Sequence, residues 1–233
     1  ILPRTVCHLE TLHECAEHIW HVRLIPEQPI AYKPGQYLQV IMGEKDKRSF
    51  SIASSPSRGN ALELQIGATP GNPYPGQVLE ALRTHGKIEV EMPLGNAYLR
   101  EHSERPILLI AGGTGYSYAR SILQYLVDHQ MPRQVYLYWG VRKADQLYEG
   151  EEVLNWSSEF KDLTFVPVVQ FPDDDWQGRS GLVHEAVLSD FHSFSQFDIY
   201  VAGRFEMAAV IRDALRHRDV KEDQLFGDAF SFS

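Results

Sequence analysis

The apolar run Ile107-Leu108-Leu109-Ile110-Ala111 leads directly into Gly112-Gly113-Thr114-Gly115. A run this short and this apolar fits a strand buried on both faces, which the glycines then turn. Beyond them Ala119, Ile122, Leu123, Leu126 and Val127 recur at helical spacing, so a helix is predicted to start near Tyr116. Glycine lets the backbone turn tightly and approach a ligand closely, and the first N–H groups of a helix are unpaired and favour anions. The unit can seat a nucleotide diphosphate, or its glycines can serve packing alone. Its order departs from the usual dinucleotide fingerprint.

What flanks this turn changes character near residue 102. Upstream, Trp20, Val22 and Leu24 alternate with His21 and Arg23; Leu62, Leu64 and Ile66 with Glu63 and Gln65; Ile88, Val90 and Met92 with Glu89 and Glu91. Period two with a polar opposite face predicts half-buried antiparallel strands. Further strands are expected at 4–9, 37–42 and 48–53, with Pro34-Gly35 and Ser55-Pro56 at turns and one short helix over about 75–84. Six such strands can close into a small barrel. Downstream, strand-like runs at 107–111, 135–139, 164–169 and 199–202 alternate with helical stretches near 116–129, 151–160, 182–189 and 205–217. That alternation predicts a parallel sheet covered on both faces, with ligands outside the carboxyl ends of its strands. The expected architecture is therefore two-domain. Residues 1–102 form an antiparallel six-stranded β-barrel, and 103–233 form a doubly wound α/β domain.

With 233 residues and a net charge of −9, the chain is a poor match for nucleic acid or an anionic membrane as main partner. It has no apolar run long enough to span a bilayer. Cys7 and Cys15 are too few for a disulfide framework, which points to a reducing, cytoplasmic compartment. Together with His8 and His13 they match no paired zinc-ligand spacing and fall across a strand and a turn, so no metal site is expected. His18 and His21, three apart on a strand, would face opposite ways. Asp173-Asp174-Asp175 reads as a solvated loop. Gly178-Arg179-Ser180-Gly181 precedes a helix that Ser180 could cap, with a nucleotide contact from Arg179 as the other reading. There is no Gly-x-Ser-x-Gly elbow to support a hydrolase.

Arg48-Ser49-Phe50-Ser51-Ile52-Ala53-Ser54, at the end of the expected fourth strand, suits a flat ligand with polar edges, although an ordinary edge strand would look similar. Alternation sets Arg48 and Phe50 against Ser49 and Ser51. After the second parallel strand, Arg142 and Lys143 either meet a nucleotide 2′-phosphate or are simply solvated.

Taken in order, Arg48–Ser54, Pro93-Leu94-Gly95-Asn96-Ala97, Gly112–Gly115, Ala202-Gly203-Arg204 and Gly227-Asp228-Ala229-Phe230 resemble the ferredoxin-NADP reductase superfamily. Within it the chain is similar to the bacterial NAD(P)H-flavin reductases, including those associated with bioluminescence. Gly35-Gln36-Tyr37, residues 111–120, residues 202–207 and residues 225–230 carry the likeness. The resemblance implies that Arg48, Ser49, Phe50, Ser51, Ile52 and Ala53 bind the isoalloxazine, with Ser51 hydrogen-bonding near its N5 and Arg48 helping to hold the flavin. It implies that Gly112, Gly113, Thr114, Gly115 and Tyr116, with Gly203 and Arg204, receive the nicotinamide nucleotide. Asp228, on the C-terminal strand, would approach the same site as Ser51. Ala202 stands where many superfamily members have cysteine, so no thiol assists. Ser49 replaces an expected proline, and Leu94 and Asn96 replace more polar residues.

The implied activity is hydride transfer from NADPH or NADH to a dissociable flavin: FMN, riboflavin or FAD. The reactivity belongs to the cofactors, and the protein orients them. The segment 73–79, where relatives with bound FAD hold the pyrophosphate, offers no basic residue and no hydroxyl beyond Tyr74. Ferric complexes or a luciferase are the implied users of the reduced flavin. The alternatives are a reductase with tightly bound FAD serving an iron–sulfur or haem partner, and a non-catalytic module that senses nucleotide or flavin.

Overall fold

A computed structural model describes the backbone of residues 1–232 and the side chains of residues 1–230. Contacts divide the chain into two compact units: Ile1–Leu99 with Arg120–Tyr125, and Arg100–Ala119 with Leu126–Ser233.

The first unit is built on strands β1 (Arg4–Ala16), β2 (Ile19–Pro26), β3 (Tyr37–Gly43), β4 (Asp46–Ser51), β5 (Leu62–Gly67) and β6 (Lys87–Leu94). They form an antiparallel sheet in the order β4-β3-β6-β1-β2-β5. The ladder does not run on from β4 to β5. Instead the edges are joined just past β4, where Ala53 N–H donates to Glu63 O at 2.8 Å and Glu63 N–H to Ser54 Oγ at 3.0 Å. Helix α1 (Pro73–His85) starts on an Asn72 cap and contributes Val78, Leu79 and Leu82 to one core with Val22, Leu24, Leu38, Val40, Leu64 and Val90.

Strand β1 is longer than its sequence pattern suggests, because bulges near Glu10 and Cys15 let it continue along β2. Cys7, His8, His13 and Cys15 therefore all lie on one strand, while His18 sits in the following turn at φ 65°. Strand β4 starts earlier than expected and stops at Ser51, leaving Ile52 and Ala53 outside the ladder. The polar face of β2 and β5 is also less wet than alternation implies. His21 and Gln65 are buried, because His21 bonds to both Glu63 and Gln65 and Glu63 accepts from Arg120, while Trp20 is only half-buried.

The second unit is a parallel sheet of β7 (Ile107–Gly112), β8 (Val135–Val141), β9 (Leu163–Val169), β10 (Arg179–Ser180), β11 (Asp198–Ala202) and β12 (Leu225–Phe226). Their order is β10-β9-β8-β7-β11-β12. The helices are α2 (Tyr116–Asp128), of which Arg120–Tyr125 count with the first unit, α3 (Gly150–Glu159), α4 (Val183–Asp190) and α5 (Phe205–Arg216). One face is covered by α4 and α5, whose Val183, Val187, Ala208, Ile211 and Leu215 pack with Leu108, Ile110, Ile199 and Val201. Ser180 is not the cap of α4. It belongs to β10, and Glu185 closes the helix start by accepting from Leu182 N–H at 2.9 Å. Asp228 lies beyond the two-residue β12 and opens a 3₁₀ turn, Asp228–Phe232, instead of sitting on the strand. No helix among the described residues is long and apolar enough to cross a membrane.

Candidate active site

The second unit reverses its strand order at β7. Successive strands run outward through β8 and β9, then the chain returns to place β11 on the other side. Such a switch point opens a crevice beyond the carboxyl ends of the two strands, where open α/β sheets bind ligands. The glycine turn is there: Gly112 ends β7, a 3₁₀ turn covers Gly113–Gly115, and α2 follows at Tyr116. Ala111 pairs with Ala202, which brings Gly203 alongside. A Cβ on Gly112 or Gly203 would collide with the Met207 side chain, and one on Gly115 would lie 2.5 Å from Ala202 O. These three glycines therefore let β7, β11 and the start of α5 close on one another.

Gly113 is different. It is exposed, has φ +56°, and a Cβ there would meet nothing within 4 Å. Its carbonyl accepts from Trp139 Nε1 at 2.9 Å. Beneath it the Tyr116 ring stacks on Trp139 at 4.0 Å and 10°, with Tyr148 edge-on to both. Tyr116 is wholly buried, and its N–H points back to Gly113 O and Thr114 O, so it supports the turn from below. Thr114 is half-buried, and Arg204 is exposed at the start of α5.

Arg142 follows β8 at the same edge, exposed, with its guanidinium 5.6 Å from the Phe171 ring. Lys143 Nζ approaches Asp173 at 3.6 Å, so the acidic loop has one cationic neighbour. Arg179 is held by Asp190 at 2.9 Å. Burial raises the Asp228 carboxyl from 3.8 to about 6. It also holds the Tyr118 hydroxyl well above its ordinary range, with the Asp228 charge adding to the effect.

In the first unit, Arg48 through Ser51 occupy the last positions of β4, with Ser51 opposite Tyr37. Ser51 is half-buried, and its hydroxyl makes no hydrogen bond among the described residues. Ser49 is exposed and accepts from Gln39 Nε2 at 3.2 Å, while Phe50 packs against the core. Ile52 and Ala53 are fully buried, backbone and side chain alike.

Arg48 is buried, and three of its five N–H donors are taken. It grips Asp46 through Nε (3.0 Å) and Nη2 (2.8 Å), and Nη1 donates to Tyr74 O at 2.7 Å. The Tyr74 ring covers the guanidinium at 4.3 Å. The start of α1 thus has a basic neighbour after all, supplied from β4, but one already neutralised. The hydrogen bond from Arg48 holds the Asp46 carboxyl below its usual range.

Sequence reasoning gave no role to Arg120, although it closes the stretch 111–120 that carried the family likeness. Arg120 Nη1 donates to Ala53 O at 3.1 Å and to Glu63 Oε2 at 2.9 Å. Burial raises the Glu63 carboxyl, but the hydrogen bond from His21 and the charge and hydrogen bond of Arg120 outweigh it, leaving the pKa at about 2. No group of three His, Cys, Asp or Glu able to hold a metal is found among the described residues.

Residues 109–213 match the oxidoreductase NAD-binding domain family. The NAD(P)H-flavin reductase of Vibrio harveyi is 47% identical over 232 residues, covering 97% of this chain and 98% of that protein. The protein of the same name from Aliivibrio fischeri is 48% identical over 232 residues, again covering 97% and 98%. Among solved structures, the Amycolatopsis cytochrome P450 reductase GcoB superposes with a TM-score of 0.88 at 25% identity, over 97% of this chain and 69% of that one. An antiparallel six-stranded sheet, a parallel sheet with a glycine turn at its switch point, and a likeness that runs from end to end lead to one assignment: this chain belongs to the NAD(P)H-flavin reductase family.

Proposed function

We propose that this protein is an NAD(P)H-dependent flavin reductase that takes its flavin as a dissociable substrate. The observation that carries this reading is identity of nearly one half, over nearly the whole chain, with proteins of that name. The residues fit the two substrates. Gly113 offers an open, close approach at the switch point, and Ser51, at the end of β4, presents a hydroxyl with no hydrogen bond among the described residues.

When bound, the flavin supplies an N5 that accepts the hydride carried at C4 of the nicotinamide. The chain's part is to hold two flat rings in register, which is worth about 7–11 kcal/mol in favourable cases. The Ser51 hydroxyl would donate to N5, a bond of about 0.5–1.5 kcal/mol in the ground state. It gains more weight as charge develops there. Asp228 keeps its proton up to a pH of about 6 and can release it above that. Ala202, lacking a thiol, takes no part in proton or electron movement.

Loose flavin binding is supported by Arg48, whose charge is already paired with Asp46 and which also donates to Tyr74 O. A flavin phosphate would therefore compete with a carboxylate for that guanidinium. Arg142 is exposed at the nucleotide edge beside an acidic loop, an arrangement compatible with both NADH and NADPH. Reduced flavin would then diffuse to its users, such as ferric complexes or a luciferase. Cys7 and Cys15, neither of them in a disulfide, fit a reducing compartment. The test is to dialyse the protein free of small molecules and follow nicotinamide absorbance while titrating in riboflavin or FMN. Oxidation that saturates with added flavin supports the reading. A protein that stays yellow and ignores added flavin would instead be a bound-FAD reductase.

A further inference from the structure

The segment Ile52–Ser55 leaves the sheet, so its backbone needs partners from elsewhere. Ile52 N–H finds Gln36 O at 3.2 Å and Ala53 N–H finds Glu63 O at 2.8 Å. The next groups are met by a single turn of α2. Arg120 Nη1 donates to Ala53 O at 3.1 Å, Ser121 Oγ to Ser54 O at 3.0 Å, and Gln124 Oε1 accepts from Ser55 N–H at 2.9 Å. Arg120, Ser121 and Gln124 are 5%, 0% and 1% exposed. Tyr32 adds a second donor to Ser54 O at 2.9 Å.

Burying a guanidinium is costly, and well-packed apolar groups often serve stability as well or better. Fixing consecutive backbone groups by three buried polar side chains is therefore better explained by the geometry it imposes. That geometry is the exit of β4, beginning two residues beyond Ser51 at Ala53, the last residue of the stretch assigned to the isoalloxazine.

We infer that Arg120, through Ala53 O and with Glu63 as its anchor, is a positioning residue for the flavin seat, and that Ser121 and Gln124 share this role. The inference rests on the flavin-reductase reading. Arg120 touches no reacting atom; it acts by holding the backbone from which Ser51 projects.

The test uses the full chain, dialysed, with riboflavin as the variable substrate and NADH saturating, and then the reverse. Arg120→Ala is expected to lower kcat/KM for riboflavin by about tenfold or more, the scale on which small misplacements act. The KM for NADH should stay within about twofold, since the two acceptors Ala53 and Glu63 belong to the first unit. Arg120→Lys, which keeps the charge and reaches one of the two acceptors, recovers part of the loss. An Arg120→Ala protein with parental near-UV circular dichroism and unchanged riboflavin kcat/KM overturns the inference. So does a loss matched by the NADH constant, because that is general loosening. If Arg120→Ala does not fold, Gln124→Ala decides: a fall in riboflavin kcat/KM of about threefold or more supports the inference, and a smaller change in a folded protein overturns it. A parent enzyme without any riboflavin dependence would strike the flavin-reductase reading itself, an outcome distinct from these.

Discussion

Replacing Glu63 with glutamine keeps the side chain's shape and removes its charge. The Glu63 side chain is 14% exposed and faces Arg120, 6% exposed, at 2.9 Å. It also meets His21 at 3.2 Å and Arg23 at 3.4 Å. Removing one partner of a buried pair costs about 3–5 kcal/mol, because the other charge is left uncompensated. A second route gives a similar figure. Folding lowers the Glu63 pKa from 4.5 to about 2. At about 1.4 kcal/mol for each tenfold change in proton affinity, that is roughly 3 kcal/mol. The sign follows from the direction. A lowered carboxyl pKa stabilises the fold fully above its unfolded value of 4.5, and the contribution fades as pH falls toward 2.

Urea unfolding of parent and Glu63→Gln, followed by Trp20, the one tryptophan of the first unit, measures this directly. The variant should be less stable by about 3 kcal/mol at pH 7, and the gap should narrow by about 2 kcal/mol at pH 3. A gap below about 1 kcal/mol at pH 7, or one equal at both pH values, refutes the claim that this carboxylate is held ionised by Arg120 and His21.

Gly113 and Gly115 should respond differently to alanine. At Gly115 the new Cβ would sit 2.5 Å from a backbone oxygen, so Gly115→Ala should cost at least the 1–3 kcal/mol or so typical of overpacking, seen as a lowered Tm. Gly113→Ala meets open space and bears only the left-handed backbone cost of about 1–2 kcal/mol, while its KM for NADH rises. Ser51→Ala should lower kcat by more than it raises the riboflavin KM, and equal turnover at saturating riboflavin would refute the N5 contact. Asp228→Asn should be more stable than the parent above pH 6, because the raised pKa makes the ionised parent carboxyl unfavourable in the fold. That advantage should disappear below about pH 4 in a Tm-against-pH series, and a pH-independent difference would contradict it.

The strand and helix rhythm of the second unit was legible because its elements are short apolar runs and amphipathic helices with clear turn residues between them. Helix α5 and strand β11 come out almost where Phe205 and Ile199 suggest. The limits of β1 and β4 were not legible, since bulges and a sheet exit depend on partner strands that local alternation does not reveal. Asp228 was placed on a C-terminal strand through the family resemblance, yet β12 has only two residues before the chain turns. The polar contacts were the least legible. Arg48 could be read as free to meet a ligand, but Asp46 two residues earlier and Tyr74 on α1 occupy it. Arg120 carries no local signal for its role, because Ala53 and Glu63 are distant in sequence and meet it only in the fold. The glycine turn was legible as a pattern, but the division between packing glycines and the open Gly113 needed coordinates.

The most direct test of the account is anaerobic stopped-flow spectroscopy, mixing dialysed protein and riboflavin with NADH deuterated at C4 and following the loss of flavin absorbance. The account predicts flavin reduction at a rate that depends on both added substrates, slowed by a primary isotope effect and further slowed in Ser51→Ala. Flavin bleaching with no isotope effect and no change in Ser51→Ala, or no reduction of added riboflavin at all, would contradict it.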